Sequence, residues 1–354
     1  METNPSSLRV GIVGASGYSG EELVGLLLGH PYVELTALTS RQYAGHSVAE
    51  VFPRYARRER AAVLRFIEPD VQELARRTDL IFLALPHGVA AEFAVPALDA
   101  GLRVIDLSAD FRLRSEATYQ EFYGAEHPAP ALLAKAVYGL TEFRREALKD
   151  AQLVASPGCY PTSILAPLIP LLRSKAISTG GIVVNSISGA SGAGRKADLK
   201  LLFVEINESL RPYGVPKHRH LSEIEQELSW AAGAKVTLQF TPTIAPVNRG
   251  ILSAISVLPP EGVTVDAAAA DAVRQVWNET FAGEPFVRPL AEGGLPDTKN
   301  VVGTNGIEFS VFADPRVNRL IIHSVDDNLV KGASGQAVQS MNVMCGFSET
   351  AGLV

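Results

Sequence analysis

Gly11-Ile12-Val13-Gly14-Ala15-Ser16-Gly17-Tyr18-Ser19-Gly20-Glu21-Glu22-Leu23 decides the fold. The apolar run Leu8 to Val13 opens into glycines at every third position, Gly14, Gly17 and Gly20, and a helical pattern, Glu21 to Leu28, follows at once. Absent side chains let the backbone turn tightly and approach a pyrophosphate, while the helix N-terminus presents N–H groups and the positive end of its dipole. Strand, turn and helix in this order predict a dinucleotide-binding unit; the alternative is glycines used only for packing. The predicted cofactor contacts are Gly14, Ser16, Gly17, Tyr18, Ser19 and Gly20.

Outward from this turn, buried-strand patterns recur at Val33 to Leu38, Leu80 to Leu85, Val104 to Leu107 and Leu153 to Ala155. Helical patterns at Val71 to Arg77 and Val89 to Ala100 lie between them. Such alternation predicts an α/β, Rossmann-type doubly wound parallel sheet with right-handed crossovers. After Pro157 the strand patterns lengthen, at Ile182 to Ser188, Lys235 to Ile244, Ile251 to Leu258, Gly306 to Ala313 and Leu320 to Val325, with one clear helix at Asp266 to Phe281. That change predicts a second, α+β domain with a mixed or antiparallel sheet. Apolar residues at helical spacing from Lys331 to Cys345 predict a last helix able to cross back. The expected division is 1–157, completed by 328–354, for the dinucleotide-binding domain, and 158–327 for a catalytic, substrate-binding and oligomerisation domain.

At 354 residues, with 47% hydrophobic and 20% charged residues, the chain suits two domains of ordinary size. A net charge of −6 argues against a nucleic-acid footprint, and Arg54 to Arg60 reads as a solvated face. No apolar run reaches the roughly 18 residues of a membrane span, and no secretory signal pattern precedes Leu8. Two unpaired cysteines suit a reducing compartment, so the expected location is cytoplasmic.

The end of the second strand carries Thr39-Ser40-Arg41 where an acidic residue would bind a ribose hydroxyl. Ser40 and Arg41 suit a 2′-phosphate and predict NADP(H); a solvated loop arginine is the alternative. Ser156-Pro157-Gly158-Cys159-Tyr160-Pro161-Thr162 places Cys159 before an apolar helical run, where the dipole favours a thiolate. Pro167 predicts that this helix is bent and only a few turns long. Cys159 reads either as a nucleophile or as a small buried hydrophobe.

His218 and His220 precede Ser222-Glu223-Ile224-Glu225, a capping-box pattern that predicts a helix start just after them. A histidine there has its imidazolium disfavoured and suits proton transfer, with Glu223 able to accept its N–H; a surface histidine pair is the alternative. Ser188 to Lys196, with Gly189 and Arg195, is a second glycine-rich stretch able to hold a phosphate or carboxylate, or simply a flexible loop. Arg112 and Arg249 are further anion-binding candidates. No zinc-like spacing exists, so no metal is predicted.

Together these stretches resemble the N-acetyl-gamma-glutamyl-phosphate reductases of arginine biosynthesis. The resemblance spans nearly the whole chain, through VGIVGASGYSGEEL, LALPHG, DLSADFRL, SPGCYPT, SGASGAGR, KHRHLSEIEQEL and DNLVKGASGQAVQSMN. It implies Cys159 as catalytic cysteine, His218 as acid/base and Glu223 as its orienting partner. It places Pro86, Asn328 and Lys331 beside NADP(H), and Arg112, Ser188, Gly189, Arg195 and Arg249 on an acyl phosphate substrate and inorganic phosphate. It also implies a homo-oligomer, dimer or tetramer. A sister acyl-phosphate reductase, of the lysine pathway or the aspartate-semialdehyde type, would share this mechanism, and phosphate-dependent NADP reduction by each semialdehyde separates them. A non-catalytic NADP-sensing protein would leave Cys159 unreactive towards alkylation.

Overall fold

A computed structural model of the chain describes residues 7–354. They form two compact units: 7–120, 125–157 and 333–354 make the first, and 121–124 with 158–332 make the second. The short segment 121–124 joins the second unit because Lys217 Nζ donates to both the side chain (2.9 Å) and the carbonyl (3.3 Å) of Glu121 and lies 4.6 Å over the Phe122 ring.

In the first unit β1 (Leu8–Val13), β2 (Val33–Thr39), β3 (Phe66–Ile67), β4 (Leu80–Leu83), β5 (Arg103–Asp106), β6 (Val137–Tyr138) and β7 (Leu153–Ala155) form a seven-stranded sheet in the order β3-β2-β1-β4-β5-β7-β6. Every pairing is parallel. Parallel sheets need cover on both faces, which is why these strands read as unbroken apolar runs. Val10 and Ile12 enter one core with Leu23 and Leu27 of the Tyr18–Leu27 helix, and Val13, Ile81 and Leu83 enter the other. β3 and β6, two residues each, are too short to leave a pattern in the sequence. The Gly335–Met344 helix closes this unit, adding Ala337, Val338 and Met341 to the core around β1. A single π-helical turn, Val330–Ser334, precedes it, so the expected helix from Lys331 is regular only from Gly335.

The second unit holds β8 (Ile182–Gly189), β9 (Arg211–Pro212), β10 (Leu238–Ala245), β11 (Ile251–Val257), β12 (Val287–Pro289), β13 (Ile307–Asp314) and β14 (Arg319–Asp326). Their order is β12-β13-β14-β11-β8-β10-β9, with β10 parallel to β8, β12 parallel to β13 and the other pairs antiparallel. Residues alternate along β8, β10 and β11 between a buried face and a more open one. The Cys159–Arg173 helix packs on the buried face against β11 and β14, and the Ala267–Thr280 helix against β13. Polar groups inside this layer are paired: Ser253 Oγ lies 2.7 Å from both Ser163 Oγ of the helix and Ser186 Oγ of β8.

The Cys159–Arg173 helix runs for 15 residues through Pro167 and Pro170 instead of ending after a few turns. Everything from Tyr160 to Leu172 is buried. Six Leu and Ile side chains among these, at about 2 kcal/mol each, outweigh the roughly 3 kcal/mol cost of each interior proline. Trp277 Nε1 adds a 2.8 Å hydrogen bond to the Pro167 carbonyl.

Candidate active site

β1 and β4 are neighbours although the chain returns to β4 only after β2 and β3, so the strand order reverses at β1 and the glycine turn sits at that switch point. Gly14 has φ +81°, and a Cβ there would lie 2.5 Å from the Ala84 carbonyl oxygen. The N-cap of the Tyr18–Leu27 helix is Gly17, and no side chain bonds the first N–H groups. These features fit a dinucleotide pyrophosphate: a backbone held close to the sheet and a helix start whose donors no side chain caps. Thr39 fixes the turn from the next strand, with its Oγ1 accepting from Gly14 N (3.3 Å) and its carbonyl from Ala15 N (3.1 Å). Ser16 Oγ and Ser40 Oγ lie 3.1 Å apart, and Arg41 projects from the exposed turn that follows. Ser19 accepts at its carbonyl from Ser334 Oγ (2.9 Å), and Pro86 is exposed just after β4.

Asp106, Ser108, Asp110 and Arg112 build one rigid loop after β5. Asp106 is wholly buried and accepts from Ser108 N (2.9 Å) and Oγ (2.7 Å); burial and the Asp110 charge push its pKa up to about 7. Asp110 takes the N–H groups of Gly88 and Ala90 ahead of the Ala90–Asp99 helix. Arg112, also buried, donates to the carbonyls of Ser156 and Leu107, both at 2.8 Å. Its guanidinium thus braces the strand end that leads into Pro157-Gly158-Cys159.

In the second unit Cys159 is the first residue of its helix and Gly158 the cap, again without a side-chain bond. The carboxylate of Glu223, 1% exposed, accepts from Gly158 N at 2.9 Å and so fixes the turn that presents the thiol. Gly332 lies against the cysteine, since a Cβ there would meet Cys159 Cβ at 2.7 Å.

The helix that carries Glu223 begins at Arg219, three residues before the expected capping box. Ser222 lies within the first turn, donating to Arg219 O (2.9 Å), and Glu225 accepts from Leu238 N (3.1 Å), so the box does not form. His218 is the cap: its Nδ1 accepts from His220 N at 3.1 Å. A backbone N–H can only donate, so this bond leaves the neutral ring with its proton on Nε2. Burial, with the Arg219 charge, pushes the His218 pKa down to about 4.

Rings enclose this imidazole. Tyr160, Tyr213 and Phe240 stand edge-on to His218 at 5.8, 5.3 and 5.6 Å, and Tyr213 Oη donates to Tyr160 Oη at 2.9 Å. Burial raises both phenols, Tyr213 up to about 12, and the Cys159 charge adds to each. The two tyrosines therefore tie the thiol and the histidine into one cluster. Tyr213 escaped the sequence reading, although its place five residues before His218 was the available signal.

The Ser188–Arg195 loop is placed differently from the expectation of open N–H groups. Gly189, Ala190 and Ser191 donate to the carbonyls of Gly250, Val247 and Asn248, and Gly194 donates to Ser191. Asn328, 2% exposed, braces the same loop, donating to Ser191 Oγ and accepting from Gly250 N, both at 2.9 Å. Arg195 is exposed, and Arg249 lies 3.6 Å from Asp327. Lys331 is buried, with Nζ 5.7 Å from the Phe286 ring. Asn328 and Lys331 both belong to the second unit. No group of three or more His, Cys, Asp or Glu that could hold a metal exists among the described residues, and no helix there is long and apolar enough to cross a membrane.

The comparisons agree with this division. Residues 9–151 match the family described as semialdehyde dehydrogenase, NAD binding domain, and residues 159–328 match semialdehyde dehydrogenase, dimerisation domain. Aspartate semialdehyde dehydrogenase II from Vibrio cholerae superposes with a TM-score of 0.72 over 96% of this chain and 98% of its own, at 18% identity. Fold and matched domains together define a semialdehyde dehydrogenase.

Two curated relatives narrow the class. An N-acetyl-gamma-glutamyl-phosphate reductase of Akkermansia muciniphila is 54% identical and one of Geobacter sulfurreducens 50% identical, each over 98% of both chains. The chain belongs to the N-acetyl-gamma-glutamyl-phosphate reductase family.

Proposed function

We propose that the protein reduces N-acetyl-L-glutamyl 5-phosphate to N-acetyl-L-glutamate 5-semialdehyde with NADPH, releasing phosphate, as a step of arginine biosynthesis. The observation that carries the reading is Cys159, first residue of a buried helix, in one cluster with a tautomer-fixed His218, in a chain 54% identical to a reductase of that name. Relatives acting on aspartate semialdehyde share the fold at 18% identity, which favours the acetylglutamyl substrate over the sister reading.

The steps follow from the residues. The Cys159 thiolate attacks the acyl carbon, and phosphate leaves with the electron pair of its carbon–oxygen bond, giving a thioester. A bound nicotinamide supplies the hydride that the thioester carbon accepts. The resulting thiohemiacetal oxyanion collapses to the aldehyde and returns the thiolate. His218 Nε2–H donates to the oxygen on which charge develops; a ring kept neutral by burial holds that donor across the working pH range. Glu223 and Arg112 hold the turn before Cys159, so they position the nucleophile. Arg195, exposed, and Arg249, beside Ser188 and Gly189, carry the anion contacts.

NADP is favoured over NAD because Thr39-Ser40-Arg41 offers hydroxyls and a guanidinium and no carboxylate at the end of β2. A cytoplasmic location follows from two free thiols, which persist in a reducing compartment. The matched dimerisation domain supports a homo-oligomer. The decisive assay is NADP reduction by N-acetylglutamate semialdehyde, with and without phosphate. Wild type should require phosphate, and Cys159→Ser should lose at least about a thousandfold in turnover with NADP binding kept. Turnover at the wild-type rate in Cys159→Ser would falsify the thioester route.

A further inference from the structure

The second sheet has one face without cover, and its register makes that face a patch. Helices pack only on the side of Val184, Ser253, Ile255 and Ile322. On the opposite side three registered rows cross β10, β8, β11 and β14, aligned on Val183, Asn185 and Ile187 of β8. Ile187 is 39% exposed, Asn185 is exposed, and Val183, Leu252, Ala254 and Ile321 are half-buried.

No Lys, Arg, Asp or Glu occupies any position of these rows. A sheet face in contact with water normally carries charged residues, and loss of charge from the centre of a patch marks an interface. At the next outward position of β14, Arg319 forms a rim, donating to the Gly181 carbonyl (2.9 Å) and Ser256 Oγ (3.2 Å).

We infer that this face is where two copies of the chain associate, sheet against sheet about a two-fold axis near Ala254. The occupant is a second copy because the face lies wholly inside the stretch that matches a dimerisation domain. The centre of the patch also suits self-pairing. A two-fold contact sets each residue near its own copy, which a charged row would oppose and an uncharged one does not. β11 is the middle strand of the seven, and Ala254 at its centre lets two backbones approach closely. The proposal rests on the self-association reading above. It also joins assembly to the active site, since β8 runs from this face into Ser188 and Gly189 and β14 ends at Asp326, next to the Asp327 that faces Arg249.

Light scattering on the eluting full-length chain tests it. Wild type should have at least twice the 37.8 kDa chain mass. Ala254→Arg should halve the observed mass, and so should Asn185→Lys, a change at an exposed position that a single copy tolerates. Both should keep the far-UV circular dichroism of wild type. Phe203→Glu, on a segment where Phe203 is 75% exposed away from these rows, should leave the mass unchanged. A wild type at the mass of one chain would sink self-association itself. A multimeric wild type whose mass survives Ala254→Arg and Asn185→Lys, or falls only with Phe203→Glu, would overturn this face and leave self-association standing.

Discussion

The Gly14–Gly20 turn and the Ser188–Arg195 loop start alike: a buried strand, then a run of small residues rich in glycine. They end with opposite hydrogen-bond economies. In the first, a ten-residue helix begins at Tyr18 with no side chain on its leading N–H groups. In the second, the amides of Gly189, Ala190, Ser191 and Gly194 are spent on carbonyls of the protein. Glycine content therefore says that backbone comes close to something. Whether that something is a ligand or another strand depends on where the N–H groups go. Gly189 makes the point by distance, since a Cβ there would meet the Asn248 oxygen at 2.6 Å and the Arg249 nitrogen at 2.7 Å.

Four substitutions press on this contrast. Gly14→Ala should do most: it puts a side chain at φ +81° and 2.5 Å from the Ala84 oxygen, so the turn must move. A loss of NADP affinity of about a thousandfold, roughly 4 kcal/mol, is expected by fluorescence titration, and affinity within threefold of wild type would break the comparison. Gly189→Ala should cost about 3 kcal/mol in denaturant unfolding, through backbone hydrogen bonds forced apart, with NADP affinity unchanged. If it instead spared stability and weakened NADP binding, the second loop would be a ligand cradle after all.

The third test concerns a helix start closed by a side chain, at His218. Its pKa lies near 4 in the folded chain against 6.5 as the ordinary value. Between these values the unfolded chain takes up a proton and the folded chain does not, so stability falls as pH drops below about 6.5 and is unaffected above it. Wild type should lose about 2 kcal/mol more than His218→Gln between pH 7.5 and pH 5. Parallel losses in chemical denaturation would mean that the ring is not held neutral. The smallest effect belongs to the edge of the first turn. Arg41→Ala should lower the NADP/NAD preference about tenfold, near 1.4 kcal/mol, and an unchanged ratio of kcat/KM values would remove Arg41 from the cofactor site.

Much of this molecule was legible in its sequence because the parallel sheet and the glycine turn are local patterns. β1, β7 and the Val71–Arg77 helix fall on the residues expected, and the longer strands within three residues of them. What escaped depends on partners far along the chain. Ser222 and Glu225 have the spacing of a capping box, yet Glu225 is drawn to Leu238 and the cap falls to His218. The helix through Pro167 survives because of what surrounds it. Ser163, Ser186 and Ser253 meet within 2.7 Å contacts across up to 90 residues, a ladder that no window of sequence contains. Arg112 drew notice as a possible anion ligand, but only coordinates reveal its two bonds to carbonyls.

The Gly335–Met344 helix has a consequence on the ribosome. Its side chains fill the core around β1, so the first unit emerges from the exit tunnel early and lacks part of its interior until the final residues follow. At about 5–20 residues per second, the 175 residues of 158–332 impose a delay of roughly ten to thirty-five seconds after Pro157 is made. Apart from the short 121–124 segment, the second unit is one uninterrupted stretch and is synthesised whole within that interval. The half of the chain made first is thus the half that finishes folding last, and until then it has an apolar groove for a chaperone to shield.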